Sequence, residues 1–175
     1  SDEQEFREKI KEIIANNLKE NSDYRFGIDA KKTLVEKFKD LTFPDTFLKR
    51  WLLNSNKNLT SEQIDSDYPK MIEDLTWQLI KEKLIKKYEI KVNEEDVENY
   101  AKDFAKAQLA QYGISGTNDD IITNYAKSLL EKEETLRNFV ERAGDNKVIA
   151  AIREAVDVQM KEISAEEFDK LFEEN

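Results

Sequence analysis

The chain of 175 residues contains no cysteine and no histidine, and it has only four glycines and two prolines. Without cysteine there is no disulfide framework, no thiolate nucleophile and no clue to a redox compartment. Without histidine the imidazole acid or base is missing, and with both residues absent the usual zinc ligand sets are gone. Carboxylates alone still bind Mg²⁺ or act on sugars, so these absences narrow catalysis without excluding it. No stretch approaches the roughly 20 apolar residues of a membrane span. The amino-terminal residues carry no signal-peptide core, so a soluble, cytoplasmic protein is expected, read as a fragment because it begins with Ser. The scarcity of glycine and proline leaves long uninterrupted stretches for helix.

What is present is charge and periodicity. Charged residues make up 38% of the chain and hydrophobic ones 39%, a balance that folds. The net charge of −10 opposes attachment to nucleic acid or anionic lipid, so neither is an expected partner. A compact chain of this length buries roughly 70% of its unfolded surface, and an elongated helical one buries less.

Residues 67–90 look like the spine. Tyr68, Met71, Ile72, Leu75, Leu79, Ile80, Leu84, Ile85 and Tyr88 recur at helical spacing, with Trp77 widening the stripe. Asp67 is placed to cap this helix and Pro69 to lie in its first turn. A helix of roughly 20 residues spans about 30 Å and must be covered from at least two sides.

Ahead of it, Phe6, Ile10, Ile13, Ile14 and Leu18 form a stripe behind a possible capping box of Asp2 and Glu5. The phase continues through Tyr24, Ile28, Val35 and Phe38, which favours one long helix to about Asp40, weakest across residues 21–27, with two helices separated there as the alternative. Phe43-Pro44 marks a break, and Pro44 starts a helix with Phe47, Leu48, Trp51 and Leu52. Residues 54–58 read as a loop. Thr60 and Gln63 form a second capping box, but Pro69 argues for a short turn and a new start.

Beyond the spine, residues 87–92 read as a turn or extended connection. Asn93 and Asp96 introduce a helix with Val97, Tyr100, Ala101, Phe104, Ala105 and Leu109, which Gly113 stops in a left-handed conformation. Residues 114–117 are expected to be flexible. Two further helices carry Ile121, Ile122, Tyr125, Ala126, Leu129 and Leu130, then Leu136, Phe139, Val140 and Ala143. Gly144-Asp145 bends the path before Val148, Ile149, Ile152 and Val156. Ser164 and Glu167 cap a tail helix that docks by Phe168 and Leu171. The class is all-α, without an internal repeat.

None of the local motifs is catalytic. Glu94 and Glu95, and Glu131, Glu133 and Glu134, have the look of solvated helix faces. The segment Gly113-Ile114-Ser115-Gly116-Thr117 lacks the lysine and spacing of a phosphate loop. Lys81, Lys83, Lys86 and Lys87 read as snorkelling side chains on the solvent side. The aromatic residues Phe43, Phe47, Trp51, Trp77, Tyr100, Phe104, Tyr112, Tyr125 and Phe139 offer large apolar areas, for a core or for a concave surface that captures unfolded polypeptide through several weak patches.

The order of several diffuse signatures resembles the carboxyl-terminal chaperone domain of bacterial trigger factor, in a Bacteroides-like version. They are Phe43-Pro44-Asp45-Thr46-Phe47-Leu48-Lys49-Arg50-Trp51-Leu52, Tyr88-Glu89-Ile90-Lys91-Val92-Asn93-Glu94-Glu95-Asp96-Val97, Ala107-Gln108-Leu109-Ala110-Gln111-Tyr112-Gly113, Asp145-Asn146-Lys147-Val148-Ile149-Ala150-Ala151-Ile152 and Lys161-Glu162-Ile163-Ser164-Ala165-Glu166-Glu167-Phe168. The resemblance implies one domain over residues 1–175, with a long amino-terminal helix and two helical arms forming a cradle. Residues 43–53 would begin the first arm, residues 94–113 and 119–143 would build the second, and a return helix would start near Asp145. It implies binding of nascent or unfolded polypeptide without ATP or any cofactor, and no catalysis by this fragment. Ribosome docking and prolyl isomerisation would belong to other parts of a longer parent chain. A scaffold for one specific protein partner and a carboxylate-dependent metal enzyme are the competing readings.

Overall fold

The structure is a computed structural model that describes residues 3–114 and 118–173. Among the described residues there are seven helices and no strand: α1 (Glu3–Lys37), α2 (Asp45–Ser55), α3 (Ser61–Lys87), α4 (Glu94–Gln111), α5 (Asp119–Leu130), α6 (Glu133–Ala155) and α7 (Ala165–Glu173). The all-α expectation holds, as does the single long first helix. At 35 residues α1 is about 52 Å long, and it has no buried residue. Its polar middle stays helical because the second half is anchored. Phe26, Ala30, Leu34 and Val35 pack on a core of Trp77, Ile80, Val148 and Ile152. The start of the helix has local support from the Glu3–Arg7 and Glu5–Lys9 pairs at 2.8 Å. The expected cap at Asp2 lies outside the described residues, as do residues 115–117 of the proposed flexible connection.

The sequence expectation fails at Pro69, which lies inside one continuous α3 of 27 residues. Thr60 and Gln63 make the reciprocal capping box, so Asp67 is a mid-helix residue and not a cap. Proline removes one backbone bond, to the carbonyl of Asp65, and crowds the preceding turn. Three contacts to α2 hold the helix across that defect. Ile64 is fully enclosed, Tyr68 donates its hydroxyl proton to Asp45 Oδ1 at 2.7 Å, and Lys49 pairs with Asp65 at 2.6 Å. Pro69 itself is exposed, which leaves the orphaned carbonyl open to water.

A second correction concerns α6, which runs straight through Gly144 and Asp145 without the expected bend or restart. One end of α6 supplies Phe139 and Ala143 to a core with Val97, Ala101, Ala105 and Ala126. The other end supplies Val148 and Ile152 to the core shared with α1 and α3. Thus α6 touches α1, α3, α4 and α5, whereas α3 touches α1, α2 and α6. The element that ties the molecule together is α6, not the expected α3 spine. Lys147 reinforces it by bonding Asp96 at 2.6 Å, joining α6 to the amino-terminal cap of α4.

Two units project from this centre. The first is the hairpin of α2 with the early part of α3, since α2 contacts no other helix. The second is the trio α4, α5 and the first half of α6. In the second unit α4 ends as the sequence predicts. Gly113 adopts φ 77°, and the amides of Gly113 and Ile114 bond back to Ala110 and Leu109 at 3.0 Å each. The accessible surface is 14087 Å² for 20.5 kDa. A compact monomer of that mass exposes about 8,900 Å². The excess is the direct cost of projecting helices that lack neighbours.

Candidate functional site

A large surface matters chemically only if it is apolar, and here much of it is. The nine aromatic candidates separate into three groups. Trp77 and Phe139 are 7% and 5% exposed and belong to the two cores, so most of each ring is engaged in packing. Tyr100 and Tyr125 are half-buried framework: the ring of Tyr100 meets Phe139 edge-on at 5.2 Å, and the Tyr125 hydroxyl donates to Gln108 Oε1 at 2.5 Å. Phe43 is half-buried before α2.

The remaining four candidates are exposed. Phe47 and Trp51 lie one turn apart on α2 and are 54% and 55% exposed, so they form one aromatic face on the first unit. On the second unit Phe104 shows one side to solvent while its ring stays 5.2 Å from Phe139. Tyr112, at 74%, is the most open of the nine.

Several apolar groups outside these nine aromatics are also bare. Phe6, Ile10, Ile13, Ile14 and Leu18 run along the first half of α1 and are all exposed. The spacing identified their shared face correctly, but nothing in a helical phase reveals whether another helix covers it. A groove on the second unit adds Leu136 and Val140 beside Val92 and Leu130.

Between α1 and α6 lies a cleft of about 660 Å³, also bordered by Trp77 of α3 and Asp103 of α4. Ile28, Trp77 and Ile149 supply apolar walls, and Glu20, Asp103, Arg142 and Arg153 supply charge. Arg153 bonds Asp23 and stacks over Phe26 with its guanidinium carbon 4.6 Å from the ring centre. The surrounding protein raises the pKa of the Asp103 carboxyl; Glu20 adds to that rise and Lys106 offsets part of it. This arrangement suits a chain segment with apolar side chains and a polar backbone. It has no nucleophile poised against a base. Among the described residues no three acidic side chains gather as metal ligands, and no helix is long and apolar enough to cross a membrane.

Lys81 departs from its expected solvent-facing place. It is buried and its ammonium lies 2.6 Å from Asp145 Oδ1, locking α3 to α6. Trp77, Lys81 and Leu84 share one helix face, so the position was legible even though the partner was not. Lys83, Lys86 and Lys87 are exposed as expected, and so are the Glu94–Glu95 and Glu131–Glu134 clusters.

The sequence model described as "Probable trigger factor, C-terminal domain" matches residues 22–172. The chain belongs to the trigger factor C-terminal domain family. Neither curated protein sequences nor solved structures give a match. The family is of chaperone type and not catalytic, in keeping with a surface built from apolar patches. The match takes in both projecting units, the cleft and most of α7 of this trigger factor domain. It starts at Ser22, so the bare stripe from Phe6 to Leu18 lies ahead of it.

Proposed function

We propose that this trigger factor domain holds nascent or unfolded polypeptide without ATP, delaying premature folding and aggregation. The observation that carries the reading is the dispersal of exposed large apolar side chains over both units: Phe47 and Trp51 on one, Phe104, Tyr112 and Val140 on the other. Each patch alone binds weakly. A flexible client that engages two or three of them converts the later contacts into intramolecular ones, which multiplies affinity without reading a fixed sequence. The cleft between α1 and α6 offers the middle of such a client apolar walls and charged groups for its backbone.

In this reading residues 1–175 work as one chaperone domain of a longer cytoplasmic protein. Its partners are unfolded chains, with no direct contact to nucleic acid or membrane and no cofactor. Contact with the ribosome and any prolyl isomerase activity belong to other parts of the parent chain. The test is light scattering of a chemically unfolded client diluted into the isolated domain without nucleotide. Suppression is expected, and its loss in the Phe47→Ser, Trp51→Ser double variant would locate one patch. A folded domain that neither suppresses aggregation nor binds the client sinks the proposal.

The stripe on α1 favours a second reading, a scaffold for one helical protein partner, because five apolar residues in a single phase match a helix better than a disordered chain. Saturable binding to one folded protein in preference to many unfolded ones would identify it.

A further inference from the structure

The carboxyl-terminal helix α7 is the most strongly amphipathic short helix of the chain, with Phe168, Leu171 and Phe172 on one side and Glu166, Glu167 and Asp169 among the rest. It lies on α1 beside Leu18, Ser22 and Tyr24, and α7 with the preceding residues forms most of the wall of a groove of about 710 Å³ that Leu18 and Ser22 of α1 complete. Phe172 stacks on Tyr24 at 6.2 Å with the rings 9° apart, and Phe168 meets Phe172 edge-on at 5.3 Å. The Arg25 guanidinium stands 5.5 Å over the Phe172 ring and donates a hydrogen bond to the carbonyl of Leu171.

This attachment is specific but shallow. No residue from Ala165 to Phe172 is buried, Phe172 keeps 36% of its surface and Tyr24 keeps 67%. A tether of nine non-helical residues, 156–164, joins α7 to α6. Extended, it reaches about 30 Å, enough to lift the helix clear of α1 while the rest stays folded. The seat continues directly into the bare stripe of Phe6, Ile10, Ile14 and Leu18, so the same apolar face is covered at one end and open at the other.

We infer that the α1 face around Leu18 and Tyr24 is a docking face for amphipathic helical segments of client chains, and that α7 is its built-in competitor. The occupant follows from the one ligand the face is seen to hold: a short helix with aromatic or leucine residues at i, i+3 and i+4 and acidic residues around them. A client segment of that pattern takes the seat when α7 lifts, so α7 sets a threshold that weakly apolar chains do not cross. The inference rests on the chaperone reading for its client, but the face can be tested without one.

The experiment uses the whole chain in three forms: unchanged, released by Phe168→Ser with Phe172→Ser, and locked by joining Tyr24→Cys to Phe172→Cys through a bismaleimide linker that carries a cleavable disulfide, which is selective because no other cysteine is present. A fluorescent peptide of residues 164–173 is the probe. If α7 occupies its seat nine-tenths of the time, release tightens peptide binding about tenfold. Leu18→Glu in the released form abolishes it. Cross-linking the locked form blocks binding and reductive cleavage of the linker restores it, which controls for folding in one molecule. Equal peptide binding by the unchanged, released and cross-linked forms, or binding by none, overturns the inference. Reduced, carboxymethylated α-lactalbumin is titrated in parallel. If it binds no form while the peptide behaves as expected, the holdase reading fails and the docking face with its competitor stands.

Discussion

The second projecting unit encloses Val97, Ala101, Ala105, Ala126 and Ala143 around Phe139, whereas in the first unit Ile64 is the one fully enclosed side chain among the described residues of α2 and early α3. Four alanines let α4, α5 and α6 approach closely, and one phenylalanine fills the space between them. The hairpin of α2 and α3 instead turns its largest rings outward. In the first unit, stability and client surface therefore sit on different residues. In the second they overlap, since Phe104 presents one side to solvent and rests the other near Phe139. Mutations should separate the two properties in one unit and mix them in the other.

The largest effect should come from Phe139→Ala, which removes a ring in contact with both Tyr100 and Phe104. A loss of about 3–5 kcal/mol is expected in urea denaturation. Ile64→Ala should cost about 2–4 kcal/mol and act mainly on the hairpin. If Ile64→Ala proves the more damaging, the hairpin holds more of the fold than its single enclosed residue implies. The link between the centre and the units can be probed at Asp145. Asp145→Ala strands the buried ammonium of Lys81 and should cost about 2 kcal/mol, less than for a fully buried pair because the aspartate is partly exposed. Lys81→Met, which keeps the volume and removes the charge, should be better tolerated than Asp145→Ala in the same assay.

A smaller stability effect but a sharper functional one is expected from the surface rings. Phe47→Ser with Trp51→Ser should change stability by no more than about 0.5 kcal/mol while weakening suppression of aggregation. Phe104→Ser should lower both. Finding that Phe104→Ser leaves stability untouched would break the proposed overlap in the second unit.

This contrast also explains how far the sequence could be read. The capping boxes at Thr60, Asn93 and Ser164 are local chemistry, and each forms as its residues imply. Helical phase likewise grouped Phe139 with Ala143 and Phe47 with Trp51. Phase says which residues share a face, but the partner that covers the face comes from elsewhere in the chain. Phe139 finds α4 opposite it, and Phe47 finds water. Pro69 shows the opposite limit, where a sound local rule yields to the tertiary contacts of Ile64, Tyr68 and Asp65 with α2. Lys81 was misread for the same reason, since its burial depends on Asp145, 64 residues away.

The smallest effects expected are in pH dependence, and they should separate the two units by sign. In the second unit the Asp96 carboxyl is held below the usual carboxylate range by the backbone amide of Asn93, with a further contribution from the Lys147 ammonium. A carboxyl whose folded pKa is depressed contributes its stability above its ordinary value of about 4, and that contribution is lost as pH falls through the lower folded value. Acid should therefore loosen the start of α4 and its tie to α6. In the first unit the Tyr68 hydroxyl is pushed up to about 12, by burial first and then by its hydrogen bond to Asp45. A raised folded pKa contributes stability below about 10 that disappears as pH climbs toward 12, so alkali should loosen the hairpin. Methyl NMR of Ile64 and Val97 across pH 3 to 11.5 would follow one unit each. Tyr68→Phe should flatten the alkaline response of Ile64 alone, and Asp96→Asn the acid response of Val97 alone. Parallel responses of both methyls at each extreme would mean that α6 couples the units too tightly for either to loosen by itself.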